Sequence, residues 1–294
     1  MKVLICYFSG TGNTEKIVEQ YALEADQLGH QIDTHRIETK DFPYDIASYD
    51  MLGIAYPIHA FNAPSNVVDF VKTLPKTNEK KKLFILKSSG EPLAINNISS
   101  YKIIKILKKK NYILQNEYHY VMPYNMIFRH SDAMAYKMWN AATQLIPIHL
   151  NEILSGKVVR LSHIFMGHFL AWVFRIEHWG GRFNGKKYKV RKNCIHCQRC
   201  IRDCPMQNIS FKDGKFVFGN KCLMCTRCSF LCPVDAIKIG WFEGWKVNGP
   251  YDFNHPEGTY QKSHKNYCKR SYKKYFARSE QKILENQKIK ETQI

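Results

Sequence analysis

No stretch of this chain reaches about 18 uninterrupted apolar residues, so nothing in it reads as a membrane-spanning helix. Met1-Lys2 leads only into the short apolar run Val3 to Phe8, too short and wrongly flanked for a secretory leader. The expectation is a cytoplasmic protein in a reducing, anaerobic setting, where cysteines stay thiols. Acidic residues are scarce: 25 Asp and Glu face 44 Lys and Arg, a formal net charge of +19. The surplus is lopsided, with 17 basic and 14 acidic residues in 1–150 but 27 and 11 in 151–294. Such a surface suits an acidic redox partner or an anionic membrane surface. No OB or RRM signature accompanies it, which argues against nucleic acid. No His, acid or nucleophile stands in a catalytic pattern, so no catalytic residue is assigned.

Cysteine, by contrast, is plentiful. Eight of the ten cysteines lie in two copies of C-x2-C-x2-C-x3-C-P, from Cys194 to Pro205 and from Cys222 to Pro233, offset by 28 residues. Four thiolates are what a cubane iron–sulfur cluster requires, and in two-cluster arrangements the fourth Cys of each run serves the other cluster. On that rule Cys194, Cys197, Cys200 and Cys232 hold one [4Fe–4S] centre, and Cys222, Cys225, Cys228 and Cys204 hold the second. Tetrahedral zinc does not ask for the third and fourth cysteines of each run, and a disulfide framework needs an oxidising compartment. Pro205 and Pro233 turn the chain after each fourth ligand. Asp213-Gly214, between Ile209–Lys212 and Lys215–Phe218, reads as a hairpin joining the halves. Two clusters with four thiolates each lower the net charge to roughly +15. The remaining cysteines, Cys6 in an apolar run and Cys268 among lysines and tyrosines, read as a small buried side chain and an exposed free thiol.

The length suggests about two domains, and 45% hydrophobic residues suffice for a proper core. Lys2 to Phe8 has the continuous apolar character of a strand buried on both faces. It empties into Ser9-Gly10-Thr11-Gly12-Asn13-Thr14, and Glu15 to Leu28 is periodic as a helix. Strand, hydroxyl- and glycine-rich loop, helix is the geometry that offers backbone N–H groups and a helix dipole to a phosphate. The loop has no Lys, against a Walker-type site, and lacks G-x-G-x-x-G spacing. Further strands are expected at Gln31–Ile37, Tyr49–Ala55, Leu83–Lys87 and Tyr112–Met122. Helices are expected at Pro64–Leu74, Ser99–Lys110 and Ala133–Leu154, the last interrupted at Pro147. The alternation predicts an α/β doubly wound, five-stranded parallel sheet of order 2-1-3-4-5, followed by a small α+β cysteine domain.

On these residues, 1–150 resemble flavodoxin, with its (S/T)-x-T-G-x-T phosphate loop intact, and 188–240 resemble a bacterial two-cluster ferredoxin. The order resembles the single-chain flavodoxin–ferredoxin fusion family. The resemblance implies noncovalent FMN: its phosphate on Ser9, Gly10, Thr11, Gly12, Asn13 and Thr14, its ring between two later loops. Those are Pro57, Ile58, His59, Ala60 and Phe61 after strand three, and Ser89, Gly90 and Glu91 after strand four. The second loop lacks the aromatic residue flavodoxins commonly stack on the flavin. Phe61 or His59 could cover one face, though Phe61 also reads as core and His59 as a loop histidine; Glu91 could bond the flavin or cap a turn.

The expected domains are 1–155 (FMN-binding), 156–187 (basic aromatic connector), 188–240 (clusters) and 241–294 (irregular segment and basic tail). In the connector, Leu161, Phe165, Phe169, Trp172, Ile176 and Trp179 fall on one helical stripe. It reads as a helix packing the domains together, or as an interfacial helix on an anionic membrane. His163, His168 and His178 read as ordinary polar positions. Trp241 to Gly258 reads as irregular structure wrapping the cluster domain. The tail with Tyr267, Tyr272, Tyr275 and Phe276 reads as solvated, partly helical or disordered. Together the features predict an electron-transfer iron–sulfur flavoprotein. The alternative is an iron–sulfur protein without functional flavin whose basic surface binds nucleic acid or membrane.

Overall fold

The computed structural model describes residues 1–39, 41–162, 164–256 and 268–292; His163, Tyr267 and the end of the Trp241–Gly258 segment lie outside the described residues. The first half alternates as β1 (Lys2–Tyr7), α1 (Asn13–Gln27), β2 (Gln31–Arg36), β3 (Met51–Pro57), α2 (Ser65–Thr73), β4 (Lys81–Ser89), α3 (Tyr101–Lys108), β5 (Tyr112–Val121) and α4 (Asp132–Leu154). All four strand pairings are parallel, in the order β2-β1-β3-β4-β5. The period of a strand explains both faces. Leu4, Cys6 and Phe8 point to the layer built by Val67 and Val71 of α2 and Ile103 and Leu107 of α3. Val3, Ile5 and Tyr7 point to Ile17, Val18 and Tyr21 of α1 and Ala142 and Ile146 of α4. Chain order reverses between β1 and β3, which opens a crevice at the carboxyl ends of those strands.

The second half comprises α5 (Gly167–Phe174), α6 (Ile176–Gly185), β6 (Lys189–Val190), α7 (Arg199–Arg202), β7 (Ile209–Lys212), β8 (Lys215–Phe218), α8 (Arg227–Phe230), β9 (Ile237–Lys238) and α9 (Lys269–Thr292). Strands β7 and β8 form the expected hairpin, with Asp213 and Gly214 both at positive φ (48° and 72°). Strands β6 and β9 pair antiparallel and close the cysteine module.

Four expectations need correction. Helix α4 runs unbroken through Pro147. The lost N–H bond, about 3 kcal/mol, is outweighed by burial of Leu145, Ile146, Ile148 and Leu150 beside it. The connector is two short helices rather than one, and its large stripe does not pack the domains: Phe165, Phe169, Trp172, Ile176 and Trp179 are exposed. The small residues Gly167, Ala171, Gly181 and Gly185 face inward instead. The tail is helical from Lys269 as α9, one of the forms expected, but it is not solvated: Tyr272 and Phe276 are buried against Val121, Met138 and Ala141. Cys268 belongs to that cluster and is 3% exposed, so it is no surface thiol. Cys6 is buried as expected.

Candidate functional site

Between β1 and α1 the chain must reverse and start a helix within six residues. Gly12 holds φ 101°, a left-handed conformation that favours glycine. The Gly12 N–H donates to Ser9 Oγ at 3.1 Å, which holds the loop's curvature. Thr14 Oγ1 lies 2.8 Å from Ser88 Oγ, tying the loop to the end of β4. Asn13 Nδ2 donates to the Pro123 carbonyl at 2.8 Å, tying it to the segment after β5. The first-turn N–H groups of α1 have no acceptor within the helix and point to the crevice end.

A cavity of about 420 Å³ opens there, within the span usual for cofactor sites. Ser9, Gly10, Thr11, Asn13 and Thr14 line it together with Pro57 to Phe61 and Ser88 to Glu91, so three separate loops meet as the sequence predicts. Gly12 turns away to a neighbouring cleft with Arg36 and Arg199. Several lining residues were not foreseen: Met122 to Ile127 after β5, Phe174 and Glu177 of the connector, Met224, Phe242 and Trp245. The first group had a signal, since it follows a strand at the same sheet edge; the others come from distant sequence. The aromatic missing from Ser88–Pro92 is supplied from outside that loop. The Tyr124 ring lies against Gly90, where any Cβ would strike it. Phe61 meets Phe174 edge-on with centroids 4.9 Å apart. Ala60 and Phe61 both hold positive φ, a strain that concentrates at functional loops.

Three titratable groups face this apolar space. Burial, with His178 beside it, lowers His59 to about 4, so its ring is neutral near pH 7. Burial raises the Glu91 carboxyl, opposed by hydrogen bonds with Tyr124 and Asn96. Burial raises Glu177 to about 7, and its Oε2 is buried without a hydrogen-bond partner.

Among the described residues no cysteine is in a disulfide. The two runs fold alike. His196 and Met224 share φ 52°, Gln198 and Thr226 hold 54° and 57°, and Gln207 and Asp235 hold 49° and 48°. Each pair is 28 residues apart, so the backbone repeats with the motif. These left-handed turns aim amides at sulfur: His196 N–H to Cys194 (3.4 Å), Met224 N–H to Cys222 (3.4 Å), Asn208 N–H to Cys204 (3.3 Å) and Ala236 N–H to Cys232 (3.2 Å). Among the described residues, no three His, Cys, Asp or Glu side chains close on one ion-sized point. The thiols instead line two hollows. One is bordered by Cys194, Cys197, Cys200 and Cys232, with Cys228 at its wall; the other by Cys204, Cys222, Cys225 and Cys228. The first three cysteines of each run therefore meet the fourth cysteine of the other.

The second hollow adjoins the three-loop cavity. Met224, between Cys222 and Cys225, lines the larger cavity. A Cβ on Gly10 would lie 3.0 Å from the Cys225 carbonyl oxygen, so the Ser9–Thr14 loop and the cysteine loop touch through backbone. Asn125 Nδ2 donates to that same carbonyl at 3.4 Å. Arg227, 7% exposed, clamps the two: Nε donates to the Gly10 carbonyl at 2.9 Å, Nη2 to the Ser9 carbonyl and to Glu38 at 2.7 Å, and Nη1 to the Asp203 carbonyl at 3.0 Å. On the opposite side α6 lies on the cysteine loop through Gly181, against Met224, and Gly185, against Cys222. Of the connector histidines that are described, His168 packs on Tyr101 with centroids 4.1 Å apart, and His178 leaves a buried Nε2 without a partner.

Residues 4–111 match the family model of the flavodoxin domain. Solved structures similar to this chain include a flavodoxin of Streptococcus pneumonia TIGR4, at 16% identity, covering 52% of this chain and 99% of that one, TM-score 0.38. Oxidised flavodoxin 1 from Bacillus cereus is 14% identical, covering 52% and 98%, TM-score 0.37. General stress protein 14 from Treponema denticola, in complex with FMN, is 16% identical, covering 53% and 97%, TM-score 0.36. No curated protein matches this chain. With the strand order and the matched residues, the N-terminal half is a flavodoxin-like domain carrying a cysteine-rich module behind its Ser9–Thr14 loop.

Proposed function

We propose that this chain is an electron-transfer iron–sulfur flavoprotein, linking a one-electron donor to a protein or small-molecule acceptor through two [4Fe–4S] clusters and FMN. One observation carries the reading: the loop holding Cys222 and Cys225 forms part of the wall of the three-loop cavity through Met224. When bound, the clusters supply one-electron steps and FMN exchanges one or two electrons. The residues fit these groups. Thr11 and the first-turn amides of α1 face the place of a phosphate, while the Thr14 hydroxyl holds the loop on Ser88. Ile58, Phe61, Met126 and Trp245 exclude water from the ring site. Glu91 and Glu177 are the groups able to hold or pass a proton there. Burial pushes Cys225 up to about 12, a thiol that yields its proton only to a coordinated metal. The amides aimed at Cys194, Cys204, Cys222 and Cys232 stabilise charge on sulfur.

Anaerobically purified protein should contain about eight iron and eight acid-labile sulfide per chain beside one flavin. Cys204→Ala should remove the cluster of Cys222, Cys225 and Cys228 rather than that of its own run. It should keep FMN but reduce it far more slowly from a one-electron donor in stopped flow. Zinc with little sulfide would overturn the cluster assignment, and parental rates of FMN reduction in Cys204→Ala would overturn the route.

A further inference from the structure

The connector helices present their small residues to the protein and their large apolar residues to solvent. Ala171 is held from the body, its carbonyl accepting from Asn62 Nδ2 at 2.9 Å. Asn184 Nδ2 donates to the Ile239 carbonyl at 2.9 Å, and Gly185 rests on Cys222. The helices are thus seated on the molecule, yet Phe165 is 94% exposed, Ile176 73%, Trp179 64% and Trp172 63%. Phe169 and Phe183 extend the same surface. A contiguous apolar patch of this kind marks an interaction site rather than ordinary surface.

Charge identifies what covers it. Residues 156–187 hold six basic side chains and one acidic, and that acid, Glu177, is turned into the flavin-loop cavity. Lys102, Arg175 and Arg182 converge around His178, and Lys186 and Lys187 follow at the end of α6, both exposed. Protein–protein interface cores are depleted in lysine, whereas tryptophan beside Lys and Arg is the composition of a membrane–water boundary. Among the described residues no helix is long and apolar enough to cross a membrane, so the segment would lie on the surface rather than span it. We propose that α5 and α6 seat this protein on an anionic lipid surface, the aromatic side chains entering the headgroup boundary and the basic ones meeting the lipid charge. Phe174 and Trp245 belong both to the exposed apolar surface and to the cavity wall, so the lipid-facing surface is continuous with the flavin-loop site. This inference does not depend on which cofactors are bound.

The test is cosedimentation of the full chain with phosphatidylcholine vesicles, with and without phosphatidylglycerol. The expected result is binding to the anionic vesicles that weakens as salt rises, with quenching of the parent's tryptophans by brominated lipid. Trp172→Ser with Trp179→Ser should lower partitioning at least about tenfold. Arg182→Gln with Lys186→Gln should lower it roughly 25-fold on anionic vesicles and little on neutral ones. Circular dichroism melts matching the parent's would show the variants folded, and the quenching measurement stands without any variant. Parent protein left in the supernatant of both vesicle types would overturn the proposal. So would a dimer in buffer, broken by the tryptophan substitutions, in a chain that ignores vesicles: the face would then belong to a second copy.

Discussion

Glu177 shows how much a single side chain can depend on where the fold turns it. On sequence it is one acid among basic neighbours on a surface-looking helix; in the structure its carboxyl is buried beside Met224, Phe174 and Trp245 without a partner for Oε2. Its folded value of about 7 lies above the roughly 4.3 of an unfolded carboxyl, so the folded state binds the proton more tightly. The associated stability is therefore full below about pH 4 and lost as pH rises through about 7. Glu177→Gln should remove that loss. The variant should gain about 2–3 kcal/mol over the parent near pH 8, after allowance for partial exposure, and about a third of that near pH 5. Urea midpoints at the two pH values check this. An equal offset at both would mean that the carboxyl titrates normally. No periodicity in the sequence could announce this residue, because only its distance from other loops makes it special.

At the scale of elements, the cysteine runs and α9 stand at opposite ends of legibility. The doubled motif encodes its own backbone: cysteine spacing of two and three residues leaves the chain little choice but repeated left-handed turns, found at His196 and Met224, at Gln198 and Thr226, and at Gln207 and Asp235. The hairpin at Asp213-Gly214 is just as local. Helix α9 is different. Its Lys- and Arg-rich composition reads as solvated, yet Tyr272 and Phe276 are buried on α4 and Lys282 pairs with Glu152 at 2.8 Å. A solvated tail would tolerate Phe276→Ala within about 0.5 kcal/mol. Docked as it is, the substitution should cost about 3 kcal/mol, read as a lower urea midpoint. Pro147 teaches the converse, since a local breaker was overruled by the buried residues around it.

For the molecule as a whole, Arg227 makes the two halves one unit. It satisfies the Ser9 and Gly10 carbonyls of the phosphate loop, the Asp203 carbonyl beside Cys204, and one oxygen of Glu38. Arg227→Met takes this donor from the three carbonyls, while Glu38 keeps Arg36 Nη2 at 3.4 Å, at a cost of about 3–5 kcal/mol. Calorimetry should then resolve two transitions where the parent shows one, and flavin retention should fall although no residue of the cavity wall has changed. Arg227→Lys, which keeps the charge but not the fork, should recover only part of the loss. A single unshifted transition in Arg227→Met would mean the halves are coupled elsewhere, through α6 and Cys222.

The sequence by itself determined what short-range rules determine. The apolar runs and their spacing carry the five-stranded parallel sheet, the Ser9–Thr14 turn carries the helix start, and the cysteine spacing carries the repeated fold of the second half. Only the tertiary structure decided which faces find partners. Periodicity in the connector identifies the residues that share a stripe, but not that Gly181 and Gly185 would claim the inner side and turn Trp172 and Trp179 outward. Nor could it place Met224 in the wall of a cavity whose first loops lie more than a hundred residues earlier, or bury Cys268. Those outcomes rest on contacts between segments far apart in the chain, where shape and the satisfaction of buried groups choose among arrangements that local pattern leaves equal.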